Sequence, residues 1–277
     1  MDCKIILPVG CNARCSFCFS KGAEFSEDFI GEVSKSLNKV SRVTANITGG
    51  EPTIYPKLIP LLMMLKNHQN VDKIILTTNG SNILEVRSIA EYINHLNISR
   101  HHFDDKINAE LFGVNFNIDY PTITEFFNSY GVDVRCNCYL SDNFKTVKDL
   151  MLMVDWAVSN GFNSIKFRND FNNGMKMNKW EKLFKKRFSP VYEDSCPVCR
   201  VSEYLYRIPV FFGYGVPEPS EISRFFEYVI NQDGKLYRDY SCKIPVNSED
   251  DTSEEDTFEL YSPKHYFDCS MIPRGCR

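Results

Sequence analysis

Short runs rich in β-branched residues alternate with longer stretches of helical period through the first 170 or so residues. Residues 4–9, 43–48, 73–77, 96–99, 132–140 and 164–167 read as strands. Helix start signals stand between them. Ser26 precedes Glu27 and Asp28, Pro56 suits a first turn, and Thr122 with Glu125 and Thr146 with Asp149 have the capping-box spacing. Six strands, each followed by a helix, predict a parallel sheet with right-handed crossovers, either a doubly wound sheet or a partial barrel. In both, chemistry belongs at the carboxyl ends of the strands.

Beyond about residue 190 the pattern changes. "FSPVYEDSCPVCR" is a loop with two cysteines, "RIPVFFGYGVPEPS" is aromatic and rich in Gly and Pro, and "EYVINQDGKLYRDY" has the form of a hairpin turning at Asp233 and Gly234. The expected organisation is a core domain over 1–190 and a small α+β extension over 191–277, not a seventh strand-helix repeat. The run "SEDDTSEEDTFE" reads as a solvated loop.

The composition of the 277 residues is that of a globular chain, with 43% hydrophobic and 25% charged residues. A net charge of −4 gives no general attraction to phosphates, so nonspecific nucleic-acid binding is not expected, and the expected partner is small or peptidic. The opening Met1-Asp2-Cys3-Lys4 leads straight into a short apolar run, with no signal peptide and no 18-residue apolar stretch, which predicts a cytoplasmic, non-membrane protein. Eleven cysteines in such a chain point to metal ligands or buried thiols rather than to disulfides.

Three candidate sites share one rim. Cys11, Cys15 and Cys18 follow the first strand, "TGGEP" (residues 48–52) ends the second, and "TTNG" (residues 77–80) ends the third. Structural zinc wants four ligands, and no fourth Cys or His lies near the triad in sequence. A 4Fe-4S cube held by three thiolates keeps one iron open for a substrate or cofactor.

The CxxxCxxC spacing, with Phe17 before the last cysteine and Asn12, Ala13 and Arg14 as filling, resembles the cluster loop of the radical S-adenosylmethionine (radical SAM) superfamily. Gly49, Gly50, Glu51 and Pro52 match that superfamily's GGEP element in order and separation. The resemblance covers about residues 1–170 and implies a partial (β/α)6 TIM-like barrel. It also implies an oxidoreductase chemistry in which SAM chelates the open iron and is reductively cleaved to a 5'-deoxyadenosyl radical that abstracts hydrogen from substrate. A reducing partner such as flavodoxin or ferredoxin is implied too. In the GGEP element two glycines allow close backbone approach to a ligand, and Glu51 can accept from a cationic amino group.

Other positions carry two readings each. Asn79 and Gly80 line a cofactor cleft or form a plain turn. Ser99 reaches the cofactor's ribose or caps the next helix, and Arg100 suits its methionyl carboxylate. Asn137 on the fifth strand, with Arg168 and Asn169 on the sixth, reaches adenine or ribose, or forms a polar barrel interior. His101 and His102 face opposite ways and cannot share one ion. One of them lines the cleft, or both are surface histidines. Cys136 and Cys138 read as small buried hydrophobes, and Cys3 as structural.

Cys196 and Cys199 form a CxxC, with Cys242, Cys269 and Cys276 further on. In a group resembling MoaA and the SPASM/Twitch proteins, a C-terminal extension that covers the barrel mouth binds a second 4Fe-4S cluster. Zinc on Cys196, Cys199 and Cys242, or free thiols, are the other readings. For substrate, a small metabolite, nucleotide or cofactor precursor stands beside a ribosomally made peptide, whereas a non-catalytic iron-sulfur or zinc module lacks a use for residues 49–52. A SAM-dependent methyltransferase is a further possibility inside the same superfamily. No catalytic residue is assigned.

Overall fold

A computed structural model of the protein describes residues 1–18, 27–168, 177–193, 201–213, 227–238 and 245–246. Strands β1 (Asp2–Ile6), β2 (Val43–Thr48), β3 (Val71–Thr78), β4 (His95–Ser99), β5 (Asp133–Tyr139) and β6 (Ser164–Arg168) pair in parallel and in chain order. The crossovers carry α1 (Phe29–Leu37), α2 (Leu58–Asn67), α3 (Asp105–Phe112), α4 (Tyr120–Ser129) and α5 (Val147–Ser159), and α6 (Met177–Lys185) follows β6. One expectation needs correction here. The β3–β4 link holds only a short 3-10 turn, Arg87–Glu91, because its Asn-Gly-Ser start favours turns over a helical nucleus.

Three start signals resolve in detail. Thr146 and Asp149 form a reciprocal capping box. Thr122 does not cap α4. Asp119 does, accepting from Thr122 N–H at 3.2 Å and Oγ1 at 2.7 Å, with Pro121 in the first turn. Ser26 lies outside the described residues, and Asp28 caps α1 by accepting from Gly31 N–H.

Residues paired in register share a face of the sheet. Ile47, Leu76, Ile98, Cys136, Phe167 and their neighbours face the helices and form the core, against α2 residues Leu58, Leu61, Leu62 and Leu65 at helical spacing. The opposite face is polar. Asn46, Thr77, Asn97, Arg135, Asn137 and Lys166 stand there, with Asn97 Nδ2 donating to Thr77 Oγ1 at 3.2 Å and Thr77 Oγ1 to Asn46 Oδ1 at 3.5 Å. This is the interior of an open barrel.

The chain after residue 190 adds strands to both edges of that sheet. β7 (Pro190–Glu193), β8 (Val201–Tyr206) and β9 (Ile208–Gly213) form an antiparallel set joined to β6 through β9, while β10 (Glu227–Ile230) pairs in parallel with β1 and turns back as β11 (Leu236–Tyr237). The result is one eleven-stranded sheet with β11 and β7 at its ends, not a closed barrel. Tyr204 and Phe212 pack on Phe184 of α6 in the core, so these aromatics build the wall. Among the described residues no helix is long and apolar enough to cross a membrane.

Candidate functional site

Residues 11–18 leave β1 at its carboxyl end and are gripped by three neighbouring elements. From the β2 side, Glu51 N–H donates to the Gly10 carbonyl at 2.9 Å. A Cβ on Gly50 would lie 2.1 Å from that same oxygen, and one on Gly49, whose φ is +147°, would lie 2.8 Å from Leu7 N. The two glycines thus permit close approach of the chain to itself, the β2 turn pressing on the root of the cysteine loop.

From the β3 side, Asn79 Nδ2 donates to Asn12 Oδ1 at 2.7 Å, Asn12 Nδ2 donates to Ser81 Oγ at 2.8 Å, and Ser81 N–H donates to Asn79 Oδ1 at 2.9 Å. Asn79 therefore belongs to the loop's scaffold. From the α3 side, Arg14 N–H donates to the Phe112 carbonyl at 2.8 Å. Gly113, at φ +66°, leaves room for Arg14, whose carbonyl oxygen would stand 2.9 Å from a Cβ there.

Glu51 ties the first two elements together. It is 1% exposed. Its Oε1 accepts from Thr53 N–H at 3.0 Å, Thr53 Oγ1 at 2.6 Å and Thr78 Oγ1, and its Oε2 accepts from Asn79 N–H at 2.7 Å. Four donors nearly exhaust a carboxylate's acceptor sites and leave room for one more at Oε2. Pro52 begins the 3-10 turn Pro52–Ile54 that Glu51 caps, where its missing N–H costs nothing.

Phe17 stacks on Tyr139 at the end of β5, with ring centroids 4.0 Å apart, and meets His101 edge-on at 5.0 Å. Both histidines are buried, at 7% and 3% exposure, which corrects the surface reading. His101 Nδ1 accepts from Tyr139 N–H at 3.1 Å and His102 Nδ1 from Asp104 N–H at 3.0 Å. Burial, assisted by Arg100, pushes the His101 pKa down to about 3, so its imidazole is neutral.

Arg100 is also corrected. Ser99 faces the barrel interior beside Asn137 and Lys166, so strand alternation sends Arg100 to the helix side. There its guanidinium donates to the carbonyls of His102 and Phe103 and to Asp105, and lies 4.6 Å from the Trp156 ring centroid. It is 4% exposed and does not point into the cleft. Asn137 is placed differently. It is 5% exposed on the inner face, and its Oδ1 has no hydrogen-bond partner, so a buried acceptor is left for a ligand donor. Arg168 follows on the inner side of β6, paired with Tyr139. Asn169, Cys196, Cys199, Cys242, Cys269 and Cys276 lie outside the described residues. Cys3, Cys136 and Cys138 are buried, and among the described residues none forms a disulfide.

Among the described residues the three loop cysteines form no disulfide, and all three are at least partly accessible. Burial raises the Cys15 pKa to about 12, with Cys18 and Cys11 adding to it. Burial likewise raises Cys11, with Glu51 and Cys18 contributing after the opposing hydrogen bond from Ala13. Thiols raised in this way, as Cys11 and Cys15 are, need a cationic centre beside them to become thiolates. Among the described residues no three His, Cys, Asp or Glu side chains group closely enough to share a single ion. A multi-iron cluster, whose irons each take one thiolate, suits this donor set better than one zinc. Asn12, Thr53, Thr78, Ser81 and Tyr139 complete the site; Asn12 and Thr78 lie inside the rim motifs, whereas Thr53, Ser81 and Tyr139 lie outside them.

The comparisons with known proteins agree with this geometry. A family model described as the radical SAM superfamily matches residues 5–163. Two curated relatives are each named probable GTP 3',8-cyclase. The one from Sulfolobus acidocaldarius is 31% identical over 121 residues, covering 41% of this chain and 38% of that protein. The one from Sulfurisphaera tokodaii is 24% identical over 205 residues, covering 67% and 64%. The chain thus spans less than two thirds of either relative's length. Among solved structures, Streptococcus suis SuiB bound to S-adenosylmethionine superposes with a TM-score of 0.63 at 18% identity, over 91% of this chain and 64% of that one. The same protein bound to its precursor peptide SuiA gives 0.60 at 18%, over 90% and 62%. At that identity the likeness is one of fold.

Proposed function

Starting from the radical SAM superfamily, to which the chain belongs on the match over residues 5–163, we propose that it is an enzyme that cleaves S-adenosylmethionine reductively and abstracts hydrogen from a small metabolite, nucleotide or cofactor precursor. The observation that carries this is the cysteine loop locked to the Glu51 turn and the Asn79 loop on one rim. When bound, the 4Fe-4S cluster and SAM of this family supply a one-electron reductive cleavage that ends in hydrogen abstraction, with the electron drawn from a low-potential donor such as flavodoxin or ferredoxin.

The chain's own residues do the positioning. Cys11, Cys15 and Cys18 would hold the cluster, while Glu51 and Asn79 hold the backbone that presents them. Ser99 and the unpartnered Asn137 Oδ1, side by side on the inner face, suit a hydroxyl-bearing ligand such as a ribose. The aromatic stack of Phe17 on Tyr139 offers an apolar wall that excludes water. Cys196, Cys199 and Cys242 would serve a second cluster or zinc in the 191–277 segment.

The curated relatives' name, GTP 3',8-cyclase, supports a nucleotide-like substrate. A second reading is maturation of a ribosomally made peptide, favoured by the superposition on SuiB over 91% of the chain. SAM cleavage strictly dependent on a peptide would decide for it.

Anaerobic reconstitution tests the main reading. Iron is counted and 5'-deoxyadenosine assayed with dithionite, on wild type and on a Cys11→Ala, Cys15→Ala, Cys18→Ala triple variant. The expectation is about four irons lost with the triad, together with all SAM cleavage. About four irons surviving in the variant locate a second cluster on the later cysteines. A triple variant that still cleaves SAM refutes the ligand assignment, and a wild type that holds iron yet never cleaves SAM leaves a non-catalytic iron-sulfur module.

A further inference from the structure

Both backbone groups of Leu7, just past β1, are held in place. Its N–H donates to the Thr48 carbonyl at 2.8 Å, which extends the β1–β2 ladder. Its carbonyl accepts from Val9 N–H at 2.9 Å, closing a three-residue turn centred on Pro8, and from Gln232 Nε2 at 3.2 Å. Gln232 is 8% exposed and lies 225 positions away in the chain.

The register explains why a side chain reaches in at this point. Parallel pairing sets Cys3 against Tyr228 and Ile5 against Ile230, so Gln232 falls next in step with Leu7. By then the chain has left the sheet. Asn231 N–H bonds to the Lys235 carbonyl and Gly234 N–H to the Asn231 carbonyl, closing the β10–β11 turn. The glutamine side chain thus reaches the Leu7 carbonyl from just beyond the end of the β1–β10 ladder, and gives this buried acceptor a second donor beside Val9 N–H. The same hairpin is seated independently on α1 by Ser36 Oγ, which donates to the Gly234 carbonyl at 2.7 Å.

We propose that Gln232 is a positioning residue for the cluster loop. By holding the Leu7 carbonyl it sets the direction in which Pro8, Val9 and Gly10 carry Cys11 towards the Glu51 turn. The path is short and stiff: Pro8 has a locked φ, and the Gly10 carbonyl is already bonded to Glu51 N–H. A rotation of the Leu7 peptide therefore displaces Cys11 directly. The proposal rests on Cys11, Cys15 and Cys18 being cluster ligands.

Gln232→Leu and Ser36→Ala are compared with wild type in two states. In the apo protein the alkylation rate of Cys11 is mapped by mass spectrometry. In the reconstituted protein the electron paramagnetic resonance line shape of the dithionite-reduced cluster is recorded with iron per chain. Gln232→Leu is expected to alkylate Cys11 several-fold faster, to hold less iron and to change the line shape. Ser36→Ala, which loosens the same hairpin away from the loop, is expected to match wild type in all three. Wild-type Cys11 reactivity and line shape in Gln232→Leu overturn the proposal. Should that variant not fold, Gln232→Asn, shorter by one methylene, replaces it with the same readouts. A wild type that takes up no iron overturns the ligand reading instead, and the alkylation rates still decide the role of Gln232.

Discussion

Replacing Glu51 by Gln separates scaffold from ligand contact. The amide keeps an acceptor at Oε1 for Thr53 and Thr78, but it turns Oε2 into an NH2 group facing Asn79 N–H, where the carboxylate now accepts at 2.7 Å. A buried N–H without an acceptor costs about 1–3 kcal/mol, and the remaining bonds lose their charge assistance, so about 2–4 kcal/mol is expected in all. That is a large part of a total stability of about 5–15 kcal/mol. It corresponds to roughly 5–15 °C in thermal midpoint. Glu51→Ala orphans the Thr53 and Asn79 amides together and is expected to cost more. The assay is equilibrium urea unfolding of the reduced apo protein, paired with SAM titration of the reconstituted one. A Glu51→Gln protein with wild-type unfolding and abolished SAM binding would refute the scaffold account and return Glu51 to the ligand.

Two further outcomes follow from the buried cations and imidazoles. Arg100→Met removes three hydrogen bonds and the stacking on Trp156, and is expected to cost about 2–4 kcal/mol in urea unfolding. It should leave SAM affinity within twofold of wild type, a factor of about 0.4 kcal/mol, and a protein of full stability with lost SAM affinity contradicts the outward placement. For His101 the folded pKa of about 3 lies below the unfolded value, so only the unfolded state takes up a proton as pH falls from about 6.5. Its contribution is complete above that pH and is lost at about 1.4 kcal/mol per unit on the way down to pH 3. His101→Phe keeps the ring contacts, and its urea midpoint should fall less steeply between pH 6.5 and 5. An unchanged slope counts against the buried neutral imidazole.

What the sequence made legible was local. Residues 43–48 are a strand to the residue, and the Thr146–Asp149 capping box forms as its spacing says, because both depend on near neighbours. The three rim motifs did converge. Thr122 was misread since Asp119 followed by Tyr120 and Pro121 is a stronger start signal placed just upstream. Arg100 was misplaced because parity, with Ser99 inward and Arg100 outward, outweighs the appeal of a cation near a carboxylate ligand. Glu51's partners were hidden for a different reason. Thr78 and Asn79 come from the next strand, and no periodicity specifies which backbone amides a carboxylate will meet. The pairing of β10 with β1 is the extreme case, since strands that alternate in the same way give no sign of which neighbour they will choose.

That pairing also has a consequence for synthesis. β2 can cover one side of β1 as soon as residue 48 has emerged, whereas the other side stays an open strand edge until β10 is made. At about 5–20 residues per second, the interval of some 180 residues lasts roughly ten to forty seconds. Throughout it the nascent chain presents a bare edge next to three unligated thiols. Protection of that edge on the ribosome is thereby set by the arrival of β10.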